Sequence, residues 1–262
     1  MTNIKILVAT HIKYQMPTDS CYLPIHVGNK GKSNIGYIGD NTGENISEKN
    51  PYFCELTGLY WGCKNLKCDY IGLVHYRRHF SNKNFIYRLC HNNFDCILNN
   101  REAEKLLKRY DVILPKKRNY YIETLYSHYA HTHYAEHLIE TRKIIYEYYR
   151  AYINDFDIVM KRTSAHMFNM FIMKKELADD YCEWLFSILN KLEVKIDISQ
   201  YSLFEARLFG RISELLLNVW LEHKQLEYSE IPYIYMEKIN WINKGISFLE
   251  AKFRNKKFER SF

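Results

Sequence analysis

The chain has 262 residues, of which 47% are hydrophobic and 26% are charged, a balance that excludes a disordered chain and favours a folded globular protein. No apolar run approaches the roughly 18 residues that a membrane-spanning helix needs, and the start of the chain does not resemble a signal peptide. The net charge of +7 suits an anionic partner without naming one. We therefore expect a cytoplasmic protein whose seven cysteines are reduced.

The first part of the chain predicts two buried strands with a loop and a helix between them. The apolar residues Ile4–Thr10 predict the first strand, and residues 69–75 predict the second. Residues 39–47 are rich in Gly, Asn and Asp and predict a loop that lacks the glycine spacing of a nucleotide-binding motif. Pro51 suits the first turn of a helix, which we expect to continue to residue 63.

From residue 95 onward, extended and helical patterns alternate along the chain. Such alternation predicts an α/β fold with a mainly parallel central sheet flanked by helices. A basic cluster over residues 116–118 directly follows one of the strands. We predict extended segments over residues 95–98, 111–115, 165–173 and 230–236, and helices over residues 102–110, 138–150, 174–192 and 201–223.

The chain contains no long linker and no internal repeat, so we predict a single domain over residues 1–240. Residues 241–262 differ from it by a basic and amphipathic pattern that predicts a C-terminal helix or tail. Such a helix can lie on an anionic membrane surface, where each cation contributes about 1 kcal/mol, or it can dock on the core. The sequence leaves both alternatives open.

Basic side chains follow the strand that ends at His75. Arg77 and Arg78 are adjacent, and ligands of open α/β sheets bind at the carboxyl edge, where these residues are expected. Two arginines there offer paired, charge-assisted hydrogen bonds to an anion such as a diphosphate. The alternative is that they are surface cations paired with nearby carboxylates.

Residues 120–137 are dense in tyrosine and histidine. His133 and His137 are four residues apart, so one face of a helix could present both to a metal ion. The zinc motif H-E-x-x-H is absent, however, and no cysteine pair completes a structural zinc site. We therefore favour an aromatic and polar lining of a cleft over a metal site.

A carboxylate that faces a cleft can act as general base for a hydroxyl nucleophile. Three charged residues in the predicted helix 201–223 are candidates for such a cleft. Arg207 and Glu214 are seven apart and share a face, whereas Glu205 is rotated from Arg207 by roughly 200°. We choose Glu205 as the candidate base, with solvated salt bridges as the alternative.

Several short motifs occur together between the first strand and the last long helix. They are ATHxxY (9–14), GDxTGxNIS (39–47), NPxxCELT (50–57), LVHYRR (73–78), LPKKR (114–118), HxH (131–133), SAHMFNM (164–170) and FEAR (204–207). Through these motifs the chain resembles a family of bacterial glycosyltransferases from capsular and exopolysaccharide gene clusters, long described as a domain of unknown function. The resemblance extends over residues 4–242.

The resemblance implies a GT-A-like fold and transfer of a sugar from a nucleotide-diphosphate donor to a growing capsular or exopolysaccharide glycan. It also implies a lipid-linked acceptor, with UDP-galactofuranose as the first donor to consider and UDP-galactose as the second. GT-A enzymes usually hold Mn²⁺ or Mg²⁺ on the diphosphate through a D-x-D motif after a central strand. His75-Tyr-Arg77 stands in that place here, so we predict weak or no dependence on a divalent metal.

The residue patterns and the resemblance together define three sets of candidate site residues. The catalytic set is Glu205, Arg77 and Arg78, and no residue is assigned to a metal. The donor-binding set is Thr10, His11, Tyr14, Asp40, Gly43, Asn45 and His75, and the acceptor-binding set is His131, His133 and His166.

Two functions of other classes remain open on the sequence. A non-catalytic sugar-binding subunit of a polysaccharide assembly complex would carry the same motifs. A nucleic-acid-binding protein would use the basic C-terminal segment and the aromatic residues, which make up 16% of the chain, for phosphate and stacking contacts. We do not expect a nucleic-acid partner, because the basic residues are divided between strand ends and the C-terminal segment.

Overall fold

The computed structural model describes residues 2–237. The predicted C-terminal helix over residues 241–262 lies outside the described residues, so both that helix and its membrane contact stay predictions. The described strands are β1 (Ile4–Thr10), β2 (Tyr22–His26), β3 (Ile38–Gly39), β4 (Tyr70–His75), β5 (Arg78–Phe80), β6 (Val112–Pro115), β7 (Arg118–Asn119), β8 (Ser164–Ala165), β9 (Phe171–Lys174), β10 (Tyr228–Ile231) and β11 (Tyr233–Tyr235).

Helices connect most of these strands, and local sequence explains where several of them begin. Asn99 and Glu102 form a capping box at the start of one helix, and the Thr124 hydroxyl caps the next. Short 3₁₀ turns at Ser47–Lys49, Arg150–Tyr152 and Glu205–Arg207 lead into three others. The α-helices are α1 (Asn50–Phe53), α2 (Leu56–Asn65), α3 (Phe85–Cys90), α4 (Asn100–Leu107), α5 (Leu125–Thr132), α6 (Ala135–Tyr148), α7 (Ile153–Met160), α8 (Lys175–Lys195) and α9 (Leu208–Lys224).

The main sheet has the strand order β10-β6-β9-β4-β1-β2-β3. Strand β1 runs parallel to β2 and β4, β2 runs parallel to β3, and β6 runs parallel to β10. Strand β9 is antiparallel to both of its neighbours, β4 and β6, while β5 and β11 extend the sheet beside the end of β4. The predicted α/β class with a mainly parallel sheet and flanking helices is confirmed.

Apolar side chains cover both faces of the central strands β1 and β4, as expected for buried parallel strands. Leu7 and Leu73 are paired in register and face a core shared with α2, α8 and α9. Ile6 and Val74 point to the opposite face, where they join a second core with α4. These two layers hold the carboxyl ends of β1 and β4 rigidly at one edge of the sheet.

Several predicted elements differ from the structure. Residues 95–98, predicted as an extended segment, lie mostly in turns. Residues 165–173 do not form one strand, because Phe168 and Asn169 adopt positive φ angles of 73° and 53° and separate β8 from β9. The long helix predicted from residue 201 becomes α-helical only at Leu208, after the Glu205–Arg207 turn. Strand β2 was not predicted, since Pro24 interrupts the pattern of a central strand.

Within residues 2–237, none of the helices combines the length with the apolar character that crossing a membrane requires.

Candidate active site

A cleft opens at the carboxyl ends of β1 and β4. These strands are parallel neighbours, and the register Ala9↔His75 places the residues that follow them at the same edge of the sheet. The cleft has two lobes, an outer lobe of about 460 Å³ and an inner lobe of about 260 Å³. Thr10, His11 and Arg77 line the outer lobe, as the sequence predicted from their positions at strand ends.

The inner lobe is lined mainly by side chains from α5, from α9 and from the segments that precede these helices. Tyr120, Tyr129 and Phe204 form much of its aromatic wall, and His133 lies among them. Aromatic faces of this kind suit the C–H surfaces of a sugar ring. Glu214 from α9 adds a carboxylate to this otherwise aromatic and cationic wall.

Five residues line both lobes, and we call this set the junction. It combines two guanidinium groups with a carboxylate, an imidazole and a thiol. The members come from the turn between α1 and α2, from the β4–β5 connection and from the 3₁₀ turn before α9, so only the fold brings them together. They are Cys54, Glu55, His75, Arg78 and Arg207.

Arginines dominate the charge of the cleft. Arg78 and Arg207 lie in the junction, and Arg118 and Arg211 line the inner lobe. The guanidinium of Arg78 lies 4.5 Å from the ring centroid of Phe168, which holds the cation over an aromatic face. Four arginines and two glutamates line the inner lobe, so positive charges outnumber negative ones and the cleft favours an anionic ligand.

Glu55 and His75 form a close pair in the junction. The Nε2 atom of His75 lies 3.7 Å from Oε1 of Glu55 and 3.1 Å from the carbonyl oxygen of Phe168. Burial lowers the pKa of His75 and outweighs the opposing effect of the Glu55 charge, so the imidazole is neutral at pH 7. Asn169 donates a hydrogen bond of 2.6 Å from Nδ2 to Glu55.

Glu214 is the most strongly perturbed carboxyl group in the cleft. Burial raises its pKa, and the nearby charge of Glu55 raises it further, to about 7. The backbone N–H of Phe168 and the arginines Arg78 and Arg118 oppose this shift. A carboxyl group that exchanges its proton near neutral pH, inside a cleft, has the property required of a general base.

Cys54 is not suited to act as a nucleophile. Burial raises the pKa of its thiol to about 11, so it stays protonated at neutral pH. Nε of Arg207 lies 3.1 Å from its Sγ atom. The backbone of Cys54 has a positive φ of 53°, an uncommon conformation that turns the chain from α1 into α2 and places Glu55 in the cleft.

The structure brings six of the predicted residues to the cleft: Thr10, His11, His75, Arg77, Arg78 and His133. A seventh, Tyr14, packs edge-on against Tyr76 of the outer lobe, with ring centroids 5.0 Å apart. Arg77 donates from Nε to the hydroxyl of Tyr76 at 2.7 Å. The predicted diphosphate cluster after β4 is therefore accessible from the outer lobe.

Asp40 lies outside the cleft and is fully buried. Its carboxylate accepts hydrogen bonds from the N–H groups of Gly28 and Asn29 and from the hydroxyls of Ser47 and Thr57. Four donors leave no room for a base or ribose, so the nucleotide contact predicted for Asp40 does not agree with its position. Its role in the structure is to hold the loop between β3 and α1.

Asp40→Ala is expected to lower the free energy of unfolding by about 3 kcal/mol or more, because several buried donors lose their acceptor. Urea denaturation measures this loss, and nucleotide affinity of the remaining folded protein is expected to stay unchanged. Asp40→Asn is the matched variant, since it keeps the shape of the side chain. Normal stability with weakened nucleotide binding would instead restore Asp40 to the donor site.

Gly43 and Asn45 belong to the same loop and do not line either lobe. Gly43 has a positive φ of 55°, and a Cβ there would meet the side chain of Asn65 at 2.1 Å. Asn45 donates from Nδ2 to the Gly43 carbonyl and accepts from the Ser47 N–H. The GDxTGxNIS motif therefore builds a compact loop, and the donor contacts predicted for these two residues are not supported by their positions.

Three other predicted residues also lie outside the cleft. Each forms hydrogen bonds with residues that do not line the cleft. Glu205 accepts a hydrogen bond of 2.6 Å from the hydroxyl of Tyr134 and others from Ser202. His131 bonds through Nδ1 to the buried Glu123. His166 is itself buried, and its Nδ1 lies 2.7 Å from the carbonyl oxygen of Pro115. Their predicted catalytic and acceptor roles do not agree with these positions.

The sequence did not point to Glu55, Cys54 or Arg211. Glu55 lies inside the NPxxCELT motif, four residues after the helix-opening Pro51, and that carboxylate was the available signal. Glu214 was recognised on the same helical face as Arg207 but was not chosen. Arg207 and Glu214 share a helix face, and both line the cleft. This shared face therefore indicates the carboxylate of the cleft, Glu214, better than it indicates Glu205.

Among residues 2–237, no three His, Cys, Asp or Glu side chains come together in an arrangement that could hold a metal ion. The junction combines two guanidinium groups with the single carboxylate of Glu55. The weak or absent dependence on a divalent metal stays a prediction.

The model of the family described as "Domain of unknown function (DUF4422)" matches residues 5–225. The chain belongs to this family. The family predicted from the eight motifs is thereby confirmed. A search of curated proteins returns no significant match.

Among solved structures, the chain is similar to the protein titled "WbbM bifunctional glycosytransferase apo structure". The TM-score is 0.82 and the sequence identity is 30%, over 90% of this chain. The match covers 46% of that protein, so this chain spans about half of its length. The predicted fold class agrees with a glycosyltransferase fold.

Proposed function

We propose that this DUF4422 chain is a glycosyltransferase that transfers a sugar from a nucleotide-diphosphate donor to a hydroxyl group of a glycan. One observation carries the proposal: Arg78 and Arg207 lie where the two lobes of the cleft meet, beside the carboxylates Glu55 and Glu214. Cations for a leaving diphosphate and a carboxylate for an attacking hydroxyl are the two requirements of this reaction. The structural similarity to a bifunctional glycosyltransferase supports the same class.

The two lobes suggest how the donor lies. The outer lobe, with Thr10, His11 and Tyr76, accommodates the nucleoside, as expected for the carboxyl edge of an α/β sheet. The diphosphate then reaches Arg78 and Arg207 in the junction, where it gains charge-assisted hydrogen bonds. This arrangement places the sugar of the donor in the inner lobe, between the aromatic wall and the two carboxylates.

The transfer step balances with groups present in the cleft. The acceptor oxygen forms a bond to the anomeric carbon, while the bond from that carbon to the diphosphate oxygen breaks. The proton of the acceptor hydroxyl moves to the carboxylate of Glu214, and the diphosphate leaves with the bonding electron pair. Arg78 and Arg207 meet the charge that develops on the leaving group, and the nearby Glu55 side chain faces the transferred carbon.

UDP-galactofuranose is our first proposed donor and UDP-galactose the second, and a lipid-linked capsular or exopolysaccharide glycan is the proposed acceptor. These choices are supported by the family resemblance, whereas the general donor class is supported by the charge of the junction. Peripheral contact with an anionic membrane, proposed for residues 241–262, would bring the cleft close to such an acceptor.

A donor screen tests the proposed function. We expect one UDP-sugar to raise the unfolding temperature more than GDP- or dTDP-sugars, since ligand at 100 times its dissociation constant stabilises by about 2.7 kcal/mol. The same donor is expected to be transferred to a glycan acceptor, or hydrolysed slowly without one. Binding without either reaction would favour the non-catalytic sugar-binding subunit.

Repeating the assay in excess EDTA separates arginine-based from metal-based stabilisation of the leaving group. We expect turnover to persist, because guanidinium groups already occupy the junction. Loss of turnover in EDTA followed by rescue with Mn²⁺ would contradict the metal-independent step but not the transferase class.

A further inference from the structure

The segment Met167–Asn169 connects β8 to β9 at the floor of the cleft, and its backbone is strained. Phe168 has a φ of 73° and Asn169 a φ of 53°. Left-handed conformations are uncommon for non-glycine residues and most unfavourable for bulky ones such as phenylalanine. Residues held in this region are destabilising, and they occur preferentially at functional sites. We call the two residues the 168–169 turn.

This turn contacts all three titratable groups that surround the proposed reaction centre. The carbonyl oxygen of Phe168 lies 3.1 Å from Nε2 of His75, and the N–H of Phe168 donates to the carboxylate of Glu214. The side chain of Asn169 donates to Glu55 at 2.6 Å. A single pair of residues thus reaches the imidazole and both carboxylates.

Asn169 is itself held firmly. Its side chain is buried, its Nδ2 also donates to the carbonyl oxygen of Gly210 at 3.0 Å, and its Oδ1 accepts from the hydroxyl of Ser213 at 2.9 Å. Both anchors belong to α9, the helix that carries Glu214. The orientation of the Asn169 amide is therefore set, with the NH₂ group directed at Glu55.

We propose that the 168–169 turn is the positioning element of the cleft, and that Asn169 is the positioning residue that keeps the Glu55 carboxylate aimed at the reaction centre. This inference rests on the proposed function and deepens it, since it names what organises the catalytic carboxylates. Strain is retained at the turn because a relaxed backbone would move the Phe168 N–H and carbonyl away from Glu214 and His75.

Several charged or titratable groups face Glu55. His75 from β4, Glu214 from α9, Arg207 from the turn before α9 and the neighbouring Cys54 surround it. The hydrogen bond from Asn169 fixes the direction of the Glu55 carboxylate among these groups.

Asn169→Gly is the informative variant, because glycine accepts the positive φ and removes only the side chain. We expect kcat to fall by about tenfold or more while KM for the donor changes little. Asn65→Gly is the matched control. Asn65 ends α2, its side chain bonds the backbone of Glu44 and Trp61, and it lines neither lobe of the cleft.

A second variant tests the turn without relying on activity. Asn169→Val resists the left-handed conformation, so we expect His75 to lose its fixed Nε2–H tautomer, as measured by nitrogen NMR of the imidazole in ligand-free protein. Asn169→Gly is expected to retain that tautomer. Urea denaturation of each variant separates misfolding from mispositioning.

The outcomes are distinct for the two proposals. Wild-type kcat in Asn169→Gly, or an unchanged His75 tautomer in folded Asn169→Val, would overturn the positioning role. If the wild-type chain neither transfers nor hydrolyses any sugar nucleotide, the proposed function fails instead. The imidazole spectra then still decide whether the turn organises the cleft.

Discussion

Glu214→Gln is expected to lower kcat for sugar transfer by about 100-fold or more, the usual contribution of a general base. The amide keeps the size of the side chain and cannot accept the proton of the acceptor hydroxyl. Because burial and the Glu55 charge raise the pKa of Glu214 to about 7, wild-type kcat/KM is expected to rise with pH through that value and then level off. Glu214→Gln is expected to remove this rise.

Glu205→Gln is the companion variant that shows which of the two carboxylates is the general base. The sequence favoured Glu205 as the base, but its carboxylate is bonded by Tyr134 and Ser202 outside the cleft. Steady-state kinetics of both variants from pH 5.5 to 8.5 distinguish the two carboxylates (the range is about 1.5 units on either side of 7). A large loss in Glu205→Gln together with a normal pH profile in Glu214→Gln would reverse our assignment.

Arg78→Ala is expected to lower kcat by about 100- to 1,000-fold, the typical effect of removing one preorganised donor from a developing negative charge. The guanidinium lies over the rings of Phe168 and Tyr235, at 4.5 and 5.4 Å from their centroids, so it is oriented before the donor binds. Arg78→Lys keeps the charge and is expected to recover only part of the loss, because the planar fork is missing.

Single-turnover kinetics with saturating donor measure this effect on the chemical step. Arg101→Ala serves as the control for loss of one positive charge, because Arg101 is an exposed residue of α4 that lines neither lobe of the cleft. Partial rescue of Arg78→Ala by free guanidinium would support a direct role at the diphosphate. Equal rates in Arg78→Ala and Arg101→Ala would remove Arg78 from the mechanism.

Much of the architecture could be predicted from local patterns. The apolar runs of β1 and β4 identify buried strands without reference to the rest of the chain, and Pro51 marks a helix start. Positions directly after these strands were also predictable as site residues. Thr10, His11, His75, Arg77 and Arg78 reach the cleft because parallel neighbours end at the same edge of a sheet.

Prediction was weaker wherever a residue's role depends on distant partners. Asp40 lies in a polar loop motif, and the sequence cannot show that four donors from residues 28, 29, 47 and 57 converge on its carboxylate. Glu205 and Glu214 carry the same functional group on the same segment. The 3₁₀ turn before α9 directs Glu205 away from the cleft, where its carboxylate bonds to Tyr134 and Ser202. Glu214, one helix further on, lies in the cleft.

The sequence by itself determined the family, the α/β class and the cationic strand end that follows β4, because each depends on short-range patterns of apolar and charged residues. The tertiary structure alone decided which carboxylates share the cleft with those cations. Glu55, Glu214 and the strained 168–169 turn lie far apart in sequence, and they meet only where the ends of β1 and β4, the α1–α2 turn and α9 converge. Burial and the nearby charge of Glu55 then raise the pKa of Glu214, which no local pattern encodes.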